Sequence, residues 1–263
     1  MARLPMLAGP GSRRYPALMK VAIAQVPVVM GDKQANVATL LRALDAAGRK
    51  RCGVALFPEC SLAGWLSPAA RTAAETIPGP LTEEIGRRAR THRMAVVLGL
   101  EERDGDRIYN SAVLIGRDGR LLARHRKIDE LEIGLKVYSR GTSLGVTDFE
   151  KRKVAVDICA DSWRPEITDA LALMGATLIF SPSAWAVEPG GEATNIAWIR
   201  ETYRARTKGR DLTIVAANGV GPVTQGPWKG RVLQGNSLVT GPDGKALLTG
   251  PTNRAALLTI SIG

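Results

Sequence analysis

Three short polar stretches in this sequence end apolar runs in residues able to do nucleophilic chemistry: FPE at Glu59, HRK at Lys127 and ICAD at Cys159. A thiol is a poor nucleophile while protonated; a carboxylate can take its proton, and an ammonium can steady the anions that form. Cysteine, glutamate and lysine brought together could therefore transfer an acyl group without a histidine. Taken singly, each residue has a plainer use. A cysteine at the end of VAVDIC is more often a small buried hydrophobe, a glutamate after Phe-Pro is commonly a solvated loop residue, and Lys127 beside Arg126 suits a charged face. His125, two residues before Lys127, also leaves open a papain-like Cys159–His125 pair.

Each of the three stretches follows an apolar strand, the place where an α/β sheet presents side chains to a ligand crevice. Apolar periodicity predicts strands over 20–25, 54–57, 94–100, 107–115, 121–126, 153–158, 177–180 and 213–217. Helices are predicted over 35–49, 81–92, 165–174 and 195–207, and antiparallel pieces over 236–240, 245–249 and 255–260. The turn Arg117-Asp118-Gly119 makes a hairpin of the segments beside it, and a polar loop is expected after residue 126 to about residue 147. Strands alternating with helices, with hairpins interspersed and no repeat or linker, argue one α/β layered domain.

Composition narrows the function. The 263 residues are 45% hydrophobic and 23% charged, ordinary for a globular chain with a sizeable core. Cys52, Cys60 and Cys159 are odd in number and far apart, and neither a disulfide framework nor a zinc pattern can be drawn from them. That favours a reducing, cytoplasmic setting, with no metal and no organic cofactor implied. The apolar run at 21–30 is broken by Gln25 and Pro27 and falls short of the roughly 20 residues a bilayer span takes. Residues 1–19 carry Arg3, Arg13 and Arg14 among Gly and Pro without a signal-peptide core. They read as a flexible extension, such as a start codon assigned too far upstream would add, before a domain at 20–263. The net charge of +11 invites nucleic acid, but nine basic residues against two acidic ones fall within residues 1–51. Elsewhere bases mostly alternate with acids and no aromatics interleave with them, so neither nucleic acid nor membrane is expected as a partner.

Seven stretches in order carry a more specific signal: KVAIAQ, ALFPE, YNSAVLIGRDGRLLARHRK, VDICAD, PSAW, RART with VAAN, and GNSLVTGPDG. From about Lys20 onward the chain resembles the nitrilase superfamily of carbon–nitrogen hydrolases. The resemblance implies a four-layer αββα sandwich in which Glu59 is general base and acid, Lys127 the electrostatic stabiliser and Cys159 the nucleophile. It also implies that the Ala160 backbone N–H helps hold an oxyanion. A second glutamate after the lysine is expected, and in KIDELEIG the KxxE spacing favours Glu130 over Glu132. Cys60 then reads as a packing thiol and Cys52 as a residue at a helix end.

The same resemblance bears on substrate. Nitrilases proper tend to show Cys-Trp-Glu, whereas amidases and carbamoyl hydrolases tend to show Cys-X-Asp followed by Pro-Glu; CADSWRPE has Asp161, Pro165 and Glu166. A small amide or N-carbamoyl compound is expected, ahead of a nitrile, with a catalytically silent binding protein as the alternative of another class. Arginine stands at 164 behind Trp163, not in the place from which relatives clamp a substrate carboxylate. With Trp65, Tyr138, Trp163 and Trp185 near the expected mouth, a neutral substrate fits better. Members of the superfamily usually assemble as homodimers or larger homo-oligomers, and the same is expected here.

Overall fold

The computed structural model describes residues 18–263. The first half builds β1 (Met19–Gln25), α1 (Lys33–Arg49), β2 (Val54–Leu56), α2 (Ala70–Ala73), α3 (Pro80–His92), β3 (Ala95–Asp104), β4 (Arg107–Ile115) and β5 (Leu121–Arg126). The second half adds β6 (Val146–Phe149), β7 (Arg152–Val156), α4 (Pro165–Leu173), β8 (Leu178–Ser183), β9 (Ala186–Val187), α5 (Glu192–Thr207) and β10 (Thr213–Asn218). It ends in β11 (Val220–Pro222), β12 (Val232–Gln234), β13 (Leu238–Thr240), β14 (Ala246–Thr249) and β15 (Ala256–Ile262).

Two six-stranded sheets stack face to face, ordered β15-β1-β2-β3-β4-β5 and β14-β13-β10-β8-β7-β6. Val21, Ile23, Val97, Ala112 and Leu114 of the first sheet share one apolar core with Val154, Ile179, Ile214 and Ala216 of the second. The opposite face of the first sheet, Ala22, Ala55, Val96, Leu98 and Val113, packs against Leu40, Leu44, Ile85 and Ala89 of α1 and α3. Ile167 and Leu171 of α4 and Ile199 and Tyr203 of α5 cover the second sheet. The layers therefore run helix, sheet, sheet, helix, the αββα order expected. A small third sheet, β11-β12-β9, lies outside the two large ones.

Local chemistry sets the element ends. The Asp32 carboxylate accepts the Ala35 N–H at 2.9 Å and caps α1. Pro80 opens α3 and Pro165 opens α4, both at first-turn positions where no N–H is missed. Residues 1–17, most of the expected extension, lie outside the described residues; Met19, assigned to it, is already paired with Ile262 in β1. Two further expectations are corrected. β3 runs past residue 100 to Asp104 because its acidic end pairs with β4 through Asp104↔Arg107. The polar loop ends earlier, since Val146–Phe149 pairs with β7.

Gly99 is where the fold makes room for chemistry. A Cβ there would stand 2.5 Å from the Pro58 carbonyl oxygen and 2.6 Å from the Glu59 Cα, so only glycine lets the segment after β2 cross this close to β3. We expect Gly99→Ala to lower the free energy of unfolding in urea by about 1–3 kcal/mol, the usual range for overpacking.

Candidate active site

The parallel strands β2, β7 and β8 end on the same side, and the segments that leave them meet between the sheets. Glu59 follows β2, its backbone N–H reaching the Ser183 carbonyl of the other sheet at 3.3 Å. Lys127 follows β5, with its N–H on the Asn110 carbonyl at 2.9 Å. Cys159 stands at the start of a short 3-10 turn, Cys159–Trp163, with φ +50. A left-handed backbone at a non-glycine residue is uncommon and persists where surrounding bonds over-determine it.

Lys127 is the charge around which the site is built. Its Nζ donates to Glu59 Oε1 at 2.7 Å and lies 3.5 Å from Glu130 Oε1, all three side chains being buried. Asn110 Nδ2 donates to both Glu59 Oε1 at 2.6 Å and Glu130 Oε2 at 3.1 Å. The Trp65 indole N–H and the Leu131 backbone N–H also serve Glu130, at 3.2 and 3.1 Å. Burial alone would discharge Lys127, but the carboxylates of Glu59 and Glu130 reverse that and hold its pKa well above the lysine range. Burial pushes Glu130 up despite the ammonium beside it. Burial also pushes the Cys159 thiol well up, the Glu59 carboxylate adds to this, and Lys127 and the Ala184 backbone work against it. At rest the thiol keeps its proton, with the carboxylate able to take it close by.

A second carboxylate ties the lysine and cysteine segments together. Asp161 Oδ1 accepts the N–H groups of Ile128 and Asp129 at 3.0 and 2.7 Å, while Oδ2 meets the Ile158 N–H at 3.1 Å and His125 Nε2 at 2.7 Å. His125 is thus turned to Asp161 and does not line the cavity that Cys159 faces, which removes the geometric basis for a papain-like pair.

That cavity, about 220 Å³, is lined by Glu59, Lys127, Cys159 and Ala160 at its base and by Trp65, Trp163, Trp185 and Trp228 on its walls. Tyr138, expected at the mouth, is a correction. It is packed with Cys60, Trp65 and Leu66 behind the cavity, its hydroxyl accepting the Leu66 N–H at 3.4 Å, because a ring at this position fills the space under the segment after Glu59. Glu132 is exposed, Arg164 pairs with Asp129 at 2.9 Å, and Cys60 is fully buried. Sequence reasoning missed Asn110, Trp228, Arg231 and Asn195. For Asn110 a signal existed: in RIYNSAVLI it shares its face with Ile108, Ala112 and Leu114, a polar residue on an apolar stripe. Trp228 and Arg231 come from a polar loop whose course no periodicity reveals. Among the described residues no group of His, Cys, Asp and Glu side chains could hold a metal, and no helix is long and apolar enough to cross a membrane.

With this geometry in hand, relatives can be compared. The sequence profile of the carbon–nitrogen hydrolase family matches residues 20–262. The chain belongs to that family. Among curated carbon–nitrogen hydrolase relatives, omega-amidase NIT2 of Danio rerio is 29% identical over 183 residues, 65% of this chain and 65% of its own. The chloroplastic omega-amidase of Arabidopsis thaliana is 25% identical over 261 residues, 92% of this chain and 66% of its own, so the matches span about two thirds of these relatives' lengths. An aliphatic nitrilase of Rhodococcus rhodochrous is 30% identical over 151 residues, 52% of this chain and 41% of its own. Among solved structures, the amidase of Nesterenkonia sp. AN1, with acrylamide added to its active-site cysteine, superposes with a TM-score of 0.80 at 24% identity, covering 93% of each chain. The αββα architecture is therefore shared with nitrilase-superfamily amidases.

Two predictions follow from the geometry around the cysteine turn. An amide in place of Asp161 has one acceptor oxygen for donors now shared by two, so Asp161→Asn should cost about 1–3 kcal/mol of unfolding free energy for each N–H left orphaned. The second concerns Asp157, whose carboxyl is pushed up to about 7 by burial and by Asp161. A folded pKa above the unfolded 3.8 means the native state holds a proton that the unfolded chain has released, so stability falls as pH rises from about 4 to about 7. Paired urea titrations should find Asp157→Asn gaining on the parent protein across that window, and a constant difference would show the carboxyl to be ionised throughout.

Proposed function

We propose that the protein hydrolyses the carbon–nitrogen bond of a small neutral amide through a thioester on Cys159. The observation that carries this reading is the convergence of Glu59, Lys127 and Cys159 on one cavity walled in part by four tryptophans, with Glu130 against Lys127. Glu59 takes the Cys159 proton as Sγ attacks the carbonyl carbon. The oxygen that gains charge is held by the Lys127 ammonium and the Ala160 N–H. On collapse of the tetrahedral adduct the C–N bond breaks, and the nitrogen leaves as ammonia or amine with the proton Glu59 carried. Water, giving a proton to the same carboxylate, then attacks the thioester; the C–S bond breaks, the acid is released and Sγ regains its proton. Glu130, shared among Lys127, Asn110 and Trp65, keeps the ammonium aimed.

The preference for a neutral substrate has its own support. Arg231, a basic side chain at the cavity, already pairs with Glu188 at 2.8 Å and lies over Trp228, while Arg164 is engaged by Asp129. Among the described residues no guanidinium at the cavity stands ready for a substrate carboxylate. For the rest of the reading, the free thiols of Cys52, Cys60 and Cys159 suit a reducing compartment such as the cytoplasm. Leu173, Met174 and Trp198, exposed on or beside α4 and α5, give a homo-oligomer an apolar face to bury.

Ammonia release from a panel of amides, N-carbamoyl compounds and nitriles tests the reading. Aliphatic or aromatic amides should be turned over, with kcat/KM about tenfold or more above that for amides ending in a carboxylate. Cys159→Ala should lower release on the order of 10⁴-fold or more with its melting temperature unchanged. Equal release from the parent and the variant would move the chemistry elsewhere, release from nitriles alone would make the protein a nitrilase, and release from nothing would make it a binding protein on this fold.

A further inference from the structure

Strand alternation gives the catalytic end of the first sheet two working faces. Asn110 and Lys127 point inward to the site, so their chain neighbours Tyr109 and Arg126 point outward. On that outer side a concavity of about 210 Å³ is lined by Arg107, Arg124, Arg126 and Arg140, with Tyr109 and the segment 141–143. The register explains the convergence: Tyr109 lies opposite Glu102, Arg107 opposite Asp104 and Arg126 opposite Ser111, all on one face.

Four guanidinium groups around one hollow repel one another unless something offsets them. The protein supplies two carboxylates. Glu102, buried, accepts from Arg124 at 3.0 Å and from Arg126 at 2.5 and 2.9 Å, and Asp104 accepts from Arg126 at 2.7 Å. Arg126 is further held flat, its guanidinium carbon 3.8 Å from the Tyr109 ring centroid. Among the described residues neither Arg107 nor Arg140 forms a salt bridge, although Arg107 is bonded to the Tyr109 side chain and attracted by Asp104; two carboxylates thus face four guanidinium groups, a net positive hollow also lined by Thr142 and Ser143. Guanidinium forks match the tetrahedral oxygens of a phosphoryl group, and hydroxyls complete such a shell.

We propose that this hollow is a binding site for the phosphoryl group of a small soluble molecule, a phosphate monoester or a diphosphate, with Arg107 and Arg140 as its main counter-charges. The site is separate from the catalytic cavity yet mechanically joined to it. The Gly141 N–H donates to the Lys127 carbonyl at 2.7 Å, and the Ser139 N–H to the Ile108 carbonyl at 2.7 Å, so the segment carrying Arg140 is stitched to the strands that hold Lys127 and Asn110.

Titration calorimetry with pyrophosphate and with glycerol phosphate, against sodium chloride at matched ionic strength, tests the proposal. The expected result is saturable binding that weakens about tenfold or more in Arg140→Ala and in Arg107→Ala, both exposed positions whose loss leaves the melting temperature in place. Arg231→Ala, at the catalytic cavity, should bind as the parent does. The proposal is overturned if neither compound binds beyond the chloride control, if both arginine variants bind within twofold of the parent, or if binding is lost in Arg231→Ala instead. It is overturned too if only polyphosphate or nucleic acid is retained, since the surface would then be reading an extended polyanion.

Discussion

An ammonium buried between two carboxylates is the constraint from which the rest of this structure follows. Removing Lys127, Glu59 and Glu130 from water costs several kcal/mol per charge, and that cost is offset only where geometry and additional hydrogen bonds are good. Here the additional bonds come from Asn110, the Trp65 indole and the Leu131 backbone. One cation cannot balance two anions in a low dielectric, and the imbalance is eased at Glu130, whose carboxyl burial has pushed up. These groups come from three segments, β4 and those after β2 and β5, so the charge cluster can exist only when the first sheet has formed and the segment after β2 has crossed Gly99.

The cysteine comes from the other sheet, and Asp161 brings the two halves into register. Its two oxygens serve backbone donors on both sides, Ile128 and Asp129 beside the lysine and Ile158 beside the cysteine. A carboxylate accepting several backbone N–H groups is a rigid joint, and the left-handed Cys159 sits directly against it. The distance between Cys159 and Lys127 is thereby set by short, charge-assisted bonds rather than by side-chain packing alone.

Much of this was legible in the sequence because both periodicities were clean. The α/β layering, the β4–β5 hairpin and the positions of Glu59, Lys127 and Cys159 at strand ends could be read from apolar runs that stop at polar residues, whereas the αββα order came only from the resemblance to the nitrilase superfamily. The second glutamate after the lysine was expected from the resemblance, with spacing favouring Glu130 over Glu132; Glu130 lies against Lys127 and Glu132 is exposed. What could not be read depended on contacts remote in sequence. Tyr138 and Trp228 are both aromatics in polar stretches, yet one packs behind the site and the other walls it, because only the path of the loop decides which way a ring turns. The pairing of His125 with Asp161 spans 36 positions and has no local signature.

The resting state of Cys159 has a consequence for how the protein meets its surroundings. Peroxides and alkylating reagents attack thiolates, and exposed, low-pKa cysteines are the ones that oxidise. Cys159 is 6% exposed, and burial together with the Glu59 carboxylate keeps its proton in place. In the proposed reaction the thiolate forms only as a carbonyl carbon arrives to receive it. Such a thiol survives oxidative conditions that would silence a pre-ionised one, and redox-labelling surveys that rank cysteines by reactivity would pass it over.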